Sequence, residues 1–101
     1  MTASAPPLHI VFALFPRITQ LDFTGPHEVL WRLPGARCLL GSATGGRIAA
    51  DGGLAFDTQP LADIGRCDVL LVPGGFGVID ALQDTAFVQQ VRRLGEGARY
   101  V

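Results

Sequence analysis

The octapeptide LHIVFALF, residues 8–15, is the stretch that decides the fold of this 101-residue chain. It is almost continuously apolar, and polar and apolar positions do not alternate along it. Such a run predicts a β-strand that is buried on both faces, as in a parallel sheet covered by helices. A second apolar run, CDVLLVP at residues 67–73, predicts another buried strand. Together the two runs indicate an α/β protein.

The segments between these strands predict a helix, a further strand and a hairpin. Residues 16–26 are expected to form a loop, and residues 27–33 a helix with Pro26 in its first turn, where the missing N–H of proline is not needed. Residues 37–42 are apolar enough to be the next strand. The sequence DGG at residues 51–53 lies between two short apolar stretches and predicts a hairpin, because a tight turn requires positive φ angles.

The last third of the chain predicts short helices and the start of a strand. Asp84 is expected to cap a helix over residues 85–94, in which apolar side chains recur at a spacing of three and four residues. Residues 99–101 begin another extended segment. The alternation of strands and helices predicts an open, mostly parallel sheet with helices on both faces.

Ligands in such sheets bind outside the carboxyl ends of the strands. Two predicted loops occupy those ends: residues 16–26, which carry Asp22, and the glycine-rich sequence GGFG at residues 74–77. The glycine-rich loop matches neither a phosphate-binding nor a dinucleotide-binding motif, so it is either a plain tight turn or a loop whose N–H groups stabilise an anion. Asp22 is either a turn or cap residue, or a partly desolvated carboxylate suited to proton transfer. Its neighbours His27 and Glu28 are expected at the surface.

Composition excludes several classes of function. With 49% hydrophobic and 17% charged residues, the chain can build a packed core and is not disordered. A net charge of −1 provides no basic surface for nucleic acid or for a membrane. No apolar run is long enough to span a bilayer, and residues 1–7 are expected to be a loose tail.

The cysteines indicate no metal site. Cys38 and Cys67 lie outside any metal-binding spacing, and they are expected to be small buried side chains in a reducing cytoplasm. Neither a metal nor another cofactor is therefore expected.

Two motifs resemble a known family. The sequences LDFTGPHEVL (residues 21–30) and LVPGGFG (residues 71–77) are similar to those of the ThiJ/PfpI superfamily, which has the class I glutamine amidotransferase-like fold. The first motif resembles the isocyanide (isonitrile) hydratase branch and the sensor-like domains fused to AraC-type regulators. The resemblance implies a flavodoxin-like three-layer sandwich, homodimeric at full length, of which residues 8–101 form the N-terminal half of a single domain.

The resemblance also implies a reaction. A cysteine thiolate on a sharp turn would attack an isocyanide carbon to give a thioimidate, and hydrolysis would release an N-substituted formamide. Asp22 matches the aspartate that handles proton transfer, and Gly74, Gly75 and Phe76 lie where backbone N–H groups would bind the developing negative charge.

The nucleophile would follow the strand that begins at residue 99, beyond the end of this sequence. Neither Cys38 nor Cys67 matches it. The sheet is therefore expected to be truncated and the chain to be inactive alone. The alternative is a ligand-sensing domain of an AraC-type regulator, which binds a small molecule without chemistry. Nothing in this segment resembles a DNA-reading helix.

Overall fold

The computed structural model describes residues 6–101, and its order of elements confirms the α/β prediction. The predicted tail lies outside the described residues except for Pro6 and Pro7, which have no regular structure. The strands and helices, with one 3-10 turn, are β1 (Leu8–Ala13), α1 (Gln20–Leu30), β2 (Ala36–Ser42), β3 (Gly46–Ala49), β4 (Ala55–Pro60), the 3-10 turn (Leu61–Asp63), β5 (Val69–Leu71), α2 (Val78–Gln83) and α3 (Thr85–Gly97).

The five strands form one mostly parallel sheet in the order β3-β4-β2-β1-β5. β1 pairs in parallel with β2 on one side and β5 on the other, and β4 is parallel to β2. Ile10, Val11 and Phe12 in β1 are completely buried. The prediction of a strand covered on both faces is therefore confirmed, and β1 is at the centre of the core.

The predicted hairpin is confirmed at β3 and β4, which pair antiparallel. Gly52 and Gly53 in the connecting turn have φ angles of 90° and 97°, as the turn requires. The Ala50 N–H donates to the Leu54 carbonyl oxygen at 2.7 Å and closes the turn.

Helices cover both faces of the sheet. Phe12 in β1 packs against Phe23 of α1, with ring centroids 5.3 Å apart. Leu70 of β5 is in register with Val11, whose side chain points to the opposite face from Phe12 because side chains alternate along a strand. A β-carbon on Gly95 of α3 would lie 3.6 Å from a Leu70 methyl carbon, so α3 covers that opposite face. The three-layer arrangement is as predicted.

The predicted start of α1 is wrong. The helix begins at Gln20 rather than after Pro26, and Pro26 lies inside it. An internal proline removes one helical hydrogen bond. The additional turns bring Phe23 into a buried position between Phe12 and Phe56, with ring centroids 5.3 and 4.9 Å away. Tertiary packing of this kind is the main source of helix stability in proteins, and here it outweighs the local signal from proline.

Two predictions for the last third of the chain are confirmed. The Asp84 side chain caps α3 by accepting a hydrogen bond from the Phe87 N–H at 3.2 Å. Tyr100 forms a parallel bridge to Val69 at the outer edge of β5, and the Leu70 N–H donates to the Tyr100 carbonyl oxygen at 2.9 Å. Among residues 6–101 no helix combines the length and apolar character needed to cross a bilayer.

Candidate functional site

The two loops predicted to meet at the carboxyl ends of β1 and β5 are in contact. Asp22 lies in the first turn of α1, and its Oδ2 would be 3.2 Å from a β-carbon placed on Gly74. The Thr19 N–H donates to the Gly74 carbonyl oxygen at 3.0 Å, which ties the start of the helix to the glycine-rich loop. The structure therefore brings Asp22 and Gly74 together.

Asp22 is exposed within the described part of the chain, which does not favour the alternative of a carboxylate desolvated by its neighbours. The reason is helical periodicity: successive side chains point about 100° apart around a helix. Phe23 turns into the core, whereas Leu21 is 65% exposed. Apolar residues on either side of Asp22 in sequence therefore do not enclose it.

Asp22 does not act as a cap. Thr19 is the N-cap residue of α1, and its side chain makes no cap hydrogen bond. Within residues 6–101 the Asp22 carboxylate accepts no hydrogen bond, although the Asp22 N–H donates to the Thr19 carbonyl oxygen at 3.0 Å. The lone pairs of the carboxylate are thus not used by the fold, which leaves them free for a ligand or a proton.

The glycines at 75 and 77 are required by close packing. Gly75 has φ 141°, and a β-carbon there would lie 2.5 Å from the Thr19 nitrogen and 2.7 Å from the Arg17 carbonyl oxygen. A β-carbon on Gly77 would overlap the Pro16 carbonyl oxygen. These two positions lack side chains because the segment after β1 passes directly over them.

The N–H groups of the glycine-rich loop divide into two sets. The Gly77 N–H donates to the Arg17 carbonyl oxygen at 3.2 Å and is used by the fold. Those of Gly74, Gly75 and Phe76 donate to no acceptor in the described part of the chain. The Phe76 side chain is 79% exposed, with the Arg17 guanidinium 6.0 Å from its ring centroid. The assignment of these three N–H groups to an anion site stays a prediction.

Sequence reasoning missed the role of Arg17. Its φ of 66° is unusual for a residue other than glycine or asparagine, so its residue type carries no signal for this conformation. The Arg17 N–H donates to the Ala49 carbonyl oxygen at 2.9 Å, and its Nε donates to Asp51 Oδ1 at 3.1 Å. The Asp51 N–H in turn donates to the Ile18 carbonyl oxygen at 3.1 Å. The segment before Asp22 is therefore held between the hairpin and the glycine-rich loop.

The side chains of His27 and Glu28 both contact other residues of the fold. His27 is half-buried rather than at the surface, because its ring packs 5.4 Å from Phe12 and 5.6 Å from Phe23 between centroids. Glu28 is exposed, as predicted, and pairs with Arg32, which lies just after the end of α1.

Neither cysteine is placed to act with Asp22. Cys38 lies in β2 opposite Ile10, and Cys67 precedes β5, at the other end of that strand from Gly74. Burial raises the pKa of the Cys38 thiol. Burial also raises the pKa of Cys67, the negative charge of Asp68 raises it further, and Arg93 lowers it. Both thiols are free; Cys67 is buried, as expected, whereas Cys38 is only partly buried.

Among residues 6–101 no cluster of three or more histidine, cysteine, aspartate or glutamate side chains is arranged as a ligand set.

Known proteins match the chain over most of its length, although no family model matches it. It is 37% identical over 95 residues to isonitrile hydratase from Pseudomonas putida, a match that covers 93% of this chain and 42% of that protein. The crystal structure of a ThiJ/PfpI family protein from Pseudomonas syringae superposes with a TM-score of 0.87 at 27% identity, covering 93% of this chain and 40% of the other. An AraC family transcriptional regulator from Pseudomonas putida superposes with a TM-score of 0.59 at 26% identity. This match covers 69% of this chain and 42% of the regulator.

The chain thus spans less than half the length of these relatives. Its agreement in sequence with the hydratase and in backbone with the Pseudomonas syringae protein extends from the first strand almost to the last residue. In sequence and in backbone, the segment is thus similar to isonitrile hydratase and to a ThiJ/PfpI family protein over the part of each that it spans.

Proposed function

We propose that residues 8–101 are the N-terminal half of a domain that catalyses hydration of isonitriles. The observation that carries this proposal is the position of the Asp22 carboxylate beside Gly74, with its oxygens unused by the fold. The sequence similarity to the Pseudomonas putida isonitrile hydratase supports the choice of reaction, since Asp22 stands within the matched segment.

In this proposal Asp22 moves protons. A cysteine thiol from the part of the domain that follows residue 101 gives its proton to the Asp22 carboxylate. The resulting thiolate forms a C–S bond to the isocyanide carbon, and that carbon gains the proton from Asp22. The product is a thioimidate. Asp22, now ionised, orients a water molecule and accepts its proton as the oxygen bonds to the same carbon. The nitrogen takes up this proton from Asp22, and the hydroxyl proton passes to Asp22 as the C–S bond breaks. The thiolate leaves, an N-substituted formamide is released, and Asp22 returns its proton to the thiolate.

The glycine-rich loop has a complementary role. Negative charge develops on the substrate as nucleophiles add to it, and backbone N–H groups aimed at that charge stabilise it. Gly74, Gly75 and Phe76 have N–H groups without an acceptor within residues 6–101, and close packing of Gly75 against Thr19 holds the loop in place. No metal or other cofactor is needed for this chemistry.

The proposal extends to the setting of the whole protein. The substrate is a small isocyanide, the full-length domain is a homodimer, and the location is the cytoplasm, where the free thiols of Cys38 and Cys67 stay reduced. The chain alone is inactive, because both of its thiols are remote from Asp22 and burial raises the pKa of each.

A chimera tests the proposal. Residues 8–101 replace the matching segment of the Pseudomonas putida isonitrile hydratase, and formation of N-alkylformamide from an alkyl isocyanide is followed by NMR. We expect turnover by the chimera and none by the 101-residue chain alone. Asp22→Asn in the chimera is expected to reduce kcat/KM by about 100-fold or more, the usual loss when an acid–base group is removed.

Asp63→Asn is the matched control, because Asp63 is an exposed carboxylate in the 3-10 turn, away from the glycine-rich loop. It is expected to retain full activity. A folded chimera without turnover, or an Asp22→Asn chimera as active as its parent, would contradict the proposal, and so would turnover by the chain alone.

A second candidate function is ligand sensing, which is favoured by the similarity to the AraC family regulator. In that case the site beside Asp22 and Gly74 binds a small molecule, and no covalent bond is formed. The two functions predict different effects of Asp22→Asn. If the domain is an enzyme, the variant loses turnover. If it is a sensor, neither the parent nor the variant turns over, and the variant binds the ligand with a different affinity.

A further inference from the structure

A cavity of about 280 Å³ lies at the carboxyl ends of β1 and β2, between the turn at Arg17 and α2. Leu14 and Phe15 form part of its wall and are almost completely buried. Phe87 of α3 lines it as well, with its ring centroid 5.7 Å from that of Phe15. Its volume is near the lower end of the range of small-molecule sites, which is about 300–1,000 Å³.

This cavity is separate from the site proposed above. Its lining includes Arg17 and Gly77, and it does not include Asp22 or the glycines at positions 74 and 75. The segment between Pro16 and Thr19 passes between the two, because it packs on Gly75 and Gly77. Ligand binding in the cavity can therefore be measured independently of the hydratase reaction.

Two carboxylates lie at the opening of the cavity. Asp80 and Asp84 both line it and are both exposed. They are one helical turn apart, since the Asp84 N–H donates to the Asp80 carbonyl oxygen at 3.1 Å. Like charges at this spacing repel each other. Within residues 6–101 neither carboxylate has an ion-pair partner, and Asp84 uses Oδ1 to cap α3.

Two further polar side chains of the lining, Arg17 and Ser42, are already engaged by the fold, and Thr44 is uncharged. The Arg17 guanidinium is paired with Asp51 at 3.1 Å, so it does not neutralise the two carboxylates. The Ser42 hydroxyl is 1% exposed and is hydrogen-bonded to the Thr58 hydroxyl at 2.7 Å and the Gly45 N–H at 2.9 Å. The cavity therefore offers apolar walls and two unneutralised negative charges.

We propose that this cavity binds a small organic ammonium ion, a protonated primary amine with an apolar body. The apolar body packs against Phe15 and Phe87, which removes apolar surface from water. The ammonium group has three N–H donors and no acceptor, and it bridges Asp80 and Asp84 through charge-assisted hydrogen bonds. Binding relieves the repulsion between the two carboxylates.

Three probes of similar shape and different charge test this proposal. The isotope-labelled 101-residue chain is titrated at neutral pH with benzylammonium, benzyl alcohol or benzoate, and amide shifts are followed by NMR. We expect saturable shifts near Asp80, Ala81 and Phe87 with benzylammonium. Its affinity is expected to exceed that of benzyl alcohol by about fivefold or more and to fall as salt is added, while benzoate binds more weakly than either.

Variants locate the charge recognition. Asp80→Asn and Asp84→Asn are each expected to weaken benzylammonium binding about three- to tenfold and to leave benzyl alcohol binding unchanged. Asparagine caps a helix about as well as aspartate, so Asp84→Asn keeps the start of α3 intact. Asp63→Asn, an exposed carboxylate outside the lining, is the control and is expected to change nothing.

Several results would overturn the proposal. These are shifts that do not saturate or that map away from the cavity, benzyl alcohol binding as tightly as benzylammonium, and unchanged affinity in both asparagine variants. A spectrum without dispersed amide signals would do so as well, because the cavity exists only in the folded chain.

Discussion

Gly52–Gly53 in the hairpin and Gly74–Gly75 after β5 are two glycine pairs that look alike in sequence and differ in their surroundings. At Gly52 and Gly53 the φ angles are positive and a β-carbon would meet nothing within 4 Å. At Gly75 a β-carbon would meet three backbone atoms of the segment that leads to Asp22. The hairpin pair is needed for the conformation of one turn, whereas the pair after β5 is needed for contact between two segments. The second kind of glycine builds the candidate site.

The largest expected effect is that of Gly75→Ala. The substitution adds backbone strain at φ 141° and a clash with the Thr19 nitrogen. Each contributes about 1–3 kcal/mol, so the free energy of unfolding is expected to fall by about 4 kcal/mol. Urea unfolding followed by circular dichroism measures it. A loss below about 1 kcal/mol would mean that the two segments do not pack as closely as described.

Gly77→Ala distinguishes the effect of a steric clash from the effect of backbone conformation. Gly77 has an ordinary φ of −74°, at which alanine alone would stabilise the chain by about 0.4–1 kcal/mol. The overlap with the Pro16 carbonyl oxygen opposes this gain, and we expect a net loss of about 2–3 kcal/mol in the same unfolding experiment. A stabilised variant would show that the segment after β1 is not held against Gly77.

Gly52→Ala tests the glycine pair in the hairpin. The position is open, so only the left-handed conformation at φ 90° is strained, and the expected loss of unfolding free energy is about 1–2 kcal/mol. Gly53→Ala at φ 97° serves as a second measurement at an equally open position. Losses as large as that of Gly75→Ala would remove the distinction between the two glycine pairs.

The smallest effects concern two acids at helix starts. Asp84→Ala removes the cap of α3 and is expected to lower the free energy of unfolding by about 1 kcal/mol. Asp22→Ala is expected to change it by less than about 0.5 kcal/mol, because no hydrogen bond within residues 6–101 uses the Asp22 carboxylate. Equal losses in the two variants would indicate that Asp22 serves the fold rather than a ligand.

Local signals in the chain predict much of the fold. The apolar run at residues 8–15 indicates a doubly covered strand, and β1 is buried within the sheet, between β2 and β5. The turn at residues 51–53 and the cap at Asp84 are also where their residue types indicate. The turn and the cap depend on interactions between residues close together in the chain, and the burial of β1 is indicated by the apolar composition of a single run, so short patterns are enough to predict them.

Sequence patterns predict only part of the candidate site. That Asp22 and the glycine-rich loop meet follows from parallel strands having their carboxyl ends at one edge of the sheet. The start of α1 at Gln20 and the exposure of Asp22 do not follow from local patterns. They depend on Phe23 packing into the core and on Arg17 bonding to the hairpin, which are contacts between segments distant in the chain. Residue type and spacing predict turns and caps, whereas the direction in which the Asp22 carboxylate faces depends on which distant segments pack around it.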